Sequence, residues 1–543
     1  MHAATSPPRP GRPALDARRA FEVRSRPVLP DLAPLLALPP DTLRGVARRL
    51  AQIGLTRAFL APFSAPLRAI HPLLRPAARA WHLGRREDPA AIAARLICFE
   101  DAVTEAEADR ALGELFAPLA DAGLFAVAGG RVRARLVIGV VDDLYLASDA
   151  RAHGEDAVLP PGDGTIALVG AAFPTRPVGR LLDLGCGSGT CALLLARRAA
   201  HVVATDLHAR ALDLTRLNAT MNGLDNVETR EGSLFDPVRG ETFDLIVSQP
   251  PFIPQPIGAA RSTFLYGGSR GDELPLALIA TLAPHLAPRG RALLLVEWPV
   301  TTEPVATRVR RALAAPELDL LVLESPPIGA DDHAAEYAAT MTSDLGDAFD
   351  RDATMRRDHF DREGIAAVVP SFVVVSRPEG RPGFTDTTPI TSRARGKVTA
   401  ARLDKLLAAR ATGADPQRLL AARLRVPEGT TFVEEQVGPG MDKPSKLHAR
   451  FADAALAPPT PMTPELLAVV TMVHEEDSVV TGLCRYAEAT GTSQEQAVGA
   501  MLPAVGRALR QGLLEVAGFA KAPDASALSL AEAPLAHRPS RAP

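Results

Sequence analysis

Leu181-Leu182-Asp183-Leu184-Gly185-Cys186-Gly187-Ser188-Gly189-Thr190, with the apolar run Cys191 to Ala196 behind it, decides how the chain is read. An apolar strand that closes on an acid, followed by a glycine-spaced turn opening a helix, is a nucleotide-binding signal. The glycines let the backbone approach a ligand closely, and the helix N-terminus turns free N–H groups toward it. Further on, Val202-Val203-Ala204-Thr205 reads as a second strand ending in Asp206. That acid stands about twenty residues past the glycines, where a ribose hydroxyl pair would be held. Together these residues form one βαβ half of a doubly wound sheet. The order is Asp-x-Gly-x-Gly-x-Gly, with the acid inside the run where it can take an amino group, so no pyrophosphate is implied.

After a helix over Ala209 to Asn222 and a strand around Val227 to Arg230 come Gly232-Ser233-Leu234-Phe235 and then Phe243-Asp244-Leu245-Ile246-Val247-Ser248-Gln249-Pro250-Pro251-Phe252. On these residues and the glycine run, the chain resembles the class I S-adenosylmethionine-dependent methyltransferases of the Pro-Pro-Phe/Tyr type. That group includes release-factor glutamine methyltransferases and the adenine and guanine N-methyltransferases of RNA and DNA. The resemblance reaches to about residue 380 and brings no known substrate. It implies S-adenosyl-L-methionine as cofactor, with Asp183, Gly185, Cys186, Gly187 and Gly189 around its methionine and ribose portions. It further implies Asp206 and Leu207 at the ribose hydroxyls, Ser233 and Leu234 flanking the adenine, and Gln249, Pro250, Pro251 and Phe252 as the catalytic acceptor wall. Where the family has Asn, Asp or Ser, this chain has Gln249.

The Pro-Pro-aromatic motif has a geometric reason. An amide or exocyclic amine delocalises its lone pair, so it attacks a methyl sulfonium poorly unless hydrogen bonds hold its N–H protons and expose that pair. A side-chain carbonyl and a backbone carbonyl can accept the protons, the prolines fix the turn, and the ring stacks on the substrate plane. Gln249 keeps the acceptor oxygen but adds a methylene, displacing it by roughly one bond length unless the loop shifts.

Composition bounds the rest. With 543 residues, 47% of them hydrophobic, the chain is too long for one core and is expected to form about three domains. Its 60 basic against 63 acidic residues argue against wholesale coating by nucleic acid. The basic residues are almost all Arg, which with the abundant Ala and Pro reads as coding bias. Cys98, Cys186, Cys191 and Cys484 lack Cys-x-x-Cys spacing, so neither a disulfide framework nor a zinc site is indicated. No metal is expected, and no apolar run approaches the roughly 18 residues of a membrane span. The N-terminus carries no signal-peptide apolar core, so a soluble cytoplasmic protein is expected.

In chain order, residues 1–30 read as a disordered tail whose arginines could touch an RNA backbone. Residues 31–140 read as a helical, winged-helix-like domain: Leu43, Val46, Leu50, Ile53 and Leu55 recur at helical spacing, and Gly129-Gly130 turns a β-ribbon that continues to Ile138. That domain would read substrate or serve as a packing platform. Residues 141–378 are the catalytic domain, beginning with a linker that includes Asp163-Gly164-Thr165. Strands over Arg291 to Glu297, Leu318 to Leu323 and Ala366 to Val375 complete the expected fold. This is an α/β, Rossmann-like, seven-stranded methyltransferase sheet flanked by helical, winged-helix-like N- and C-terminal modules. Tyr266 to Leu274 reads as a flexible glycine-rich turn, and Glu324 to Glu363 as a solvated acidic insert, although His333 beside Asp331 and Asp332 invites a metal reading. Residues 379–460 read as a linker and small α/β piece, 461–520 as a second winged-helix-like domain, and 521–543 as a disordered tail. In the latter domain Thr463 caps a helix starting at Pro464, and Ser493 with Gln496 forms a capping box. The expected acceptor is RNA or a protein or peptide amide. A small-molecule acceptor, or a cofactor-binding protein without catalysis, stays open.

Overall fold

The computed structural model describes residues 29–63, 79, 81–149, 156–259, 262, 264–341, 346–391, 396–435, 446–451 and 460–519. The expected tails, 1–30 and 521–543, lie outside the described residues apart from Leu29 and Pro30.

The N-terminal module begins with α1 (Pro40–Gln52), which buries Leu43, Val46 and Leu50. Next come α2 (Pro89–Ala93), capped by Asp88, and β1 (Val103–Thr104). The capping box of Thr104 and Glu107 starts α3 (Glu105–Leu112). After α4 (Phe116–Asp121) the ribbon of β2 (Phe125–Ala128) and β3 (Arg131–Ala134) turns at Gly129 and Gly130, with φ of 57° and 72°. The strand order is β1-β3-β2, with two helices between β1 and the ribbon. The ribbon stops sooner than the sequence suggests. Arg135 N–H turns back to Leu124 O at 2.9 Å, and β4 (Leu136–Val141) pairs instead with β5 (Leu144–Asp149). The expected boundary at 140/141 therefore cuts a hairpin, and Leu144–Asp149 is a buried strand where a linker was expected.

The central part opens with α5 (Asp163–Ala172), β6 (Val178–Leu184), α6 (Thr190–Ala196), β7 (Ala199–Asp206), α7 (Ala209–Met221), β8 (Val227–Glu231) and β9 (Phe243–Ser248). It continues through β10 (Ile253–Pro254), β11 (Tyr266–Gly268), α8 (Glu273–Leu282), β12 (Leu286–Pro299), α9 (Val305–Leu313) and β13 (Asp319–Glu324). It closes with β14 (Ile328–Gly329), α10 (Ala330–Met341), α11 (Asp347–Glu363), β15 (Ala367–Ser376) and β16 (Thr385–Pro389). The sheet order is β16-β13-β15-β12-β9-β6-β7-β8, with β14 on β15 and β15 antiparallel to its neighbours β12 and β13. All seven expected strands are present, and β14 and β16 bring the sheet to nine. Alternate residues fill opposite faces: Leu181, Val202, Leu245 and Leu293 pack with the helices α5 to α7, while Leu182, Val203, Ile246 and Leu294 pack with α8 and α9.

Two expectations fail here. Tyr266–Gly268 is a strand paired with Ile253–Pro254, where a flexible turn was expected. The insert between β13 and β15 is a helical pair with an inner face: Ala330, His333, Ala334 and Ala338 of α10 and Arg356, His359 and Phe360 of α11 are buried. Asp331, Asp332, Asp347, Asp350, Asp358 and Asp361 are exposed, which is why composition alone suggested a solvated segment.

Past β16 come α12 (Ala400–Gly413), α13 (Pro416–Ala421), β17 (Ala422–Arg425), β18 (Thr431–Glu435), β19 (Lys446–Arg450) and β20 (Thr460–Pro461). Then follow α14 (Pro464–Met472), α15 (Val479–Thr490), α16 (Gln494–Arg510) and β21 (Glu515–Phe519). Thr463 caps α14, and Ser493 with Gln496 forms the box that starts α16. The division expected at 460/461 falls inside one core. β17 pairs with β21, and Leu419, Leu424, Val469, Leu483 and Leu509 pack together.

Candidate active site

Strands β6 and β9 are parallel neighbours with Leu184 level with Ser248. The chain after β6 turns toward β7, and β9 lies on β6's other side, so the strand order reverses between them. In an open α/β sheet a ligand crevice forms at the carboxyl ends of such a pair. A cavity of about 500 Å³ opens there.

The glycine turn forms its floor. Gly185 and Gly187 have φ of 75° and 54°, left-handed values that side chains disfavour. The N–H groups of Gly185 and Cys186 donate to Thr205 O, which fixes the turn to the end of β7. Asp183 is buried beneath it, accepting from Ala192 N–H at 2.8 Å. Burial, and the charge of Asp206 nearby, push its carboxyl up to about 7. Asp206 accepts from Gly187 N–H through one oxygen and from His208 N–H through the other, each at 3.0 Å. Burial raises its carboxyl above the usual range as well. These backbone bonds hold the carboxylate in place at the cavity wall.

Leu207, Ser233 and Leu234 line the same space, as do Cys186 and all four residues Gln249 to Phe252. Leu234 has φ of 46°, and Gly232 before it has no room for a Cβ beside the Pro237 ring. Gly189 does not belong to this wall. At φ 80° it caps α6 and backs onto Thr215, where a Cβ would stand 2.9 Å from the side chain. It shapes the turn from behind.

The Pro-Pro-Phe loop is gripped from outside. A Cβ on Gly267 would run into the carbonyl oxygens of Pro251 and Gly271, and one on Gly271 into that of Phe252. The Gly-Gly stretch is thus pressed flat against the Pro-Pro-Phe backbone. It is held in turn by α11, since His359 Nε2 donates to Ser269 O and Arg270 Nη1 to Glu363 O, both at 2.7 Å.

Thr165, His208, Tyr337 and Thr340 are among the lining residues that the sequence did not single out. Thr165, quoted only as part of a turn, has its hydroxyl 2.8 Å from Gln249 Oε1. His208 stands beside Asp206, with Nδ1 3.2 Å from Asp156 Oδ1. Tyr337 and Thr340 of α10 reach the cavity from the insert. The Tyr337 hydroxyl donates to Glu297 Oε2 at 3.4 Å, and the His333 ring lies 4.6 Å from its own. Burial and the Glu297 carboxylate hold the phenol well above its usual range. A sequence signal existed for α10: Ala330, Ala334, Tyr337 and Ala338 recur at helical spacing amid the acids. His333, Asp331 and Asp332 form no metal site. Among the described residues no group of three His, Cys, Asp or Glu side chains is placed to hold a metal ion. No helix there is long and apolar enough to cross a membrane.

The residues present fit a nucleoside bearing an amino acid. The anchored Asp206 carboxylate lines the cavity, positive-φ glycines leave the floor without side chains, and a second carboxylate, Asp183, sits under the turn. Residues 162–262 match the family model for the methyltransferase small domain. Over 103 residues the chain is 46% identical to the release factor glutamine methyltransferase of Xylella fastidiosa, covering 19% of this chain and 36% of that one. It is 41% identical over 146 residues to the enzyme of the same name from Deinococcus radiodurans, covering 24% and 50%. Among solved structures, the ribosomal protein L11 methylase of Lactobacillus delbrueckii subsp. bulgaricus aligns at 18% identity and TM-score 0.25, over 41% of this chain and 82% of that one. The chain thus spans between 36% and 50% of the length of these two curated relatives.

Proposed function

We propose that the protein is an S-adenosylmethionine-dependent methyltransferase whose acceptor is a planar nitrogen, the side-chain amide of a protein glutamine. The observation that carries this reading is the level ending of β6 and β9, which brings the glycine turn and Gln249-Pro250-Pro251-Phe252 into one cavity. The matched family supports methyl transfer, and the two glutamine methyltransferases similar to this chain support the amide.

Gly185, Gly187, Asp183 and Asp206 would hold S-adenosylmethionine in this cavity, where it would supply an electrophilic methyl group and leave as S-adenosylhomocysteine. The chain's residues bind and orient. Asp206 takes the ribose hydroxyls. Gln249 Oε1 and a backbone carbonyl of the Pro-Pro loop accept the amide protons, and the ring of Phe252 faces the amide plane. The nitrogen sheds its extra proton after transfer, so no general base is required, and alignment supplies most of the acceleration.

The test is transfer of radiolabelled methyl from S-adenosylmethionine into three bacterial fractions: a purified peptide-chain release factor with the cell protein, total RNA, and small metabolites. Label in protein, mapped to a glutamine, is the expected outcome. Label confined to RNA or metabolites would overturn the acceptor, and S-adenosylhomocysteine binding without transfer would overturn the enzyme. One observation favours a second reading: Tyr337 and Thr340 wall the cavity from the insert, which suits a small acceptor, and the metabolite fraction tests it.

A further inference from the structure

Gln249 is one methylene longer than the residue its family resemblance leads one to expect, and the chain accommodates the extra length from α5. Thr165 Oγ1 donates to Gln249 Oε1 at 2.8 Å. The residue before Thr165 is glycine: a Cβ on Gly164 would stand 3.2 Å from Gln249 Nε2 and 3.1 Å from Leu295 Cδ2. A side chain there would crowd the amide against β12. Thr165 and Gln249 both line the cavity beside Pro250 to Phe252. A free glutamine side chain samples several rotamers about its flexible bonds, and an amide bonded through its oxygen at a fixed point does not.

We propose that Thr165 is a positioning residue that acts through Gln249: with Gly164 it fixes the Gln249 amide so that the second lone pair of Oε1 is presented to the acceptor N–H. This rests on the methyl-transfer reading above. The Thr165–Gln249 pair then does jointly what a shorter side chain does alone. Gln249→Asn removes the methylene and carries the amide out of reach of Thr165.

Two measurements on the full chain test the proposal. In protein labelled with ¹⁵N-glutamine, the side-chain amide signal of Gln249, identified by its loss in Gln249→Asn, is expected to shift in Thr165→Val and to return in Thr165→Ser. In methyl transfer to the release factor, or to whichever fraction the wild type labels, Thr165→Val is expected to lower kcat roughly tenfold or more. KM and S-adenosylhomocysteine affinity should hold, and Thr165→Ser should recover most of the turnover. In the Gln249→Asn background, Thr165→Val should cost nothing further, because the partner it acts through is gone. An unmoved Gln249 signal overturns the proposal whatever the acceptor, as do losses that multiply in the double variant. A shifted signal with no transfer by the wild type overturns the methyl-transfer reading and the role of Thr165 with it.

Discussion

Asp183 holds a proton that most aspartates give up near pH 4, because burial and its neighbour Asp206 push its carboxyl up to about 7. The unfolded chain lacks that proton above pH 4, so the folded, ligand-free protein binds more protons between pH 4 and 7. Stability is therefore lost as pH rises through that window, by roughly 1.4 kcal/mol for each unit of displacement. Urea unfolding across the window should show this slope, and Asp183→Asn should flatten it. A ligand ammonium beside the carboxylate favours the charged form. Binding of S-adenosylhomocysteine near pH 7 should thus release protons, seen by calorimetry in buffers of different ionisation enthalpy, and Asp183→Asn should abolish the release.

At the scale of elements, α7 holds the N-terminal hairpin with two asparagines one turn apart. Asn222 exchanges both amide bonds with the backbone of Tyr145. Asn218 does the same with Ala147 and also donates to Ser188 O in the glycine turn. Each mimics a strand partner for β5. Asn218→Ala leaves buried backbone groups unpaired, at about 1–3 kcal/mol apiece, and should weaken S-adenosylhomocysteine binding as well. Asn222→Ala should destabilise without altering that affinity; unfolding curves paired with calorimetric titration separate the two. Such contacts mark the limit of what the sequence makes legible. The glycine turn, the Ser493–Gln496 capping box and the alternating strands are local patterns, and each was read from a few neighbouring residues. Asn218 and Ala147 lie 71 residues apart, and Thr165 and Gln249 lie 84 apart. Nothing in a window of ten residues joins them. Gly189 illustrates the converse, a residue whose motif was plain but whose space faces Thr215 and not the ligand.

At the scale of the molecule, α12 is shared between the core of the sheet and the C-terminal core. Leu403 and Leu407 of α12 pack with the sheet, and Ala409 packs in the C-terminal core. Between them Arg410, buried, donates to Thr388 Oγ1 on β16 and to Arg510 O at the end of α16, both at 2.7 Å. Its guanidinium also lies 3.3 Å from Asp386. Arg410→Ala should cost about 1–3 kcal/mol for each partner it leaves unpaired, Thr388 Oγ1 and Arg510 O, with loss from both cores in denaturant titrations. At the other end of the chain, the bond from Asn218 to Ser188 ties the N-terminal hairpin to the floor of the cofactor cavity. Linkage runs equally in both directions. On the proposed function, a partner that grips the front module and strains that hairpin would change the grip on the methyl donor by some factor, and a filled donor site would return the same factor to the front module.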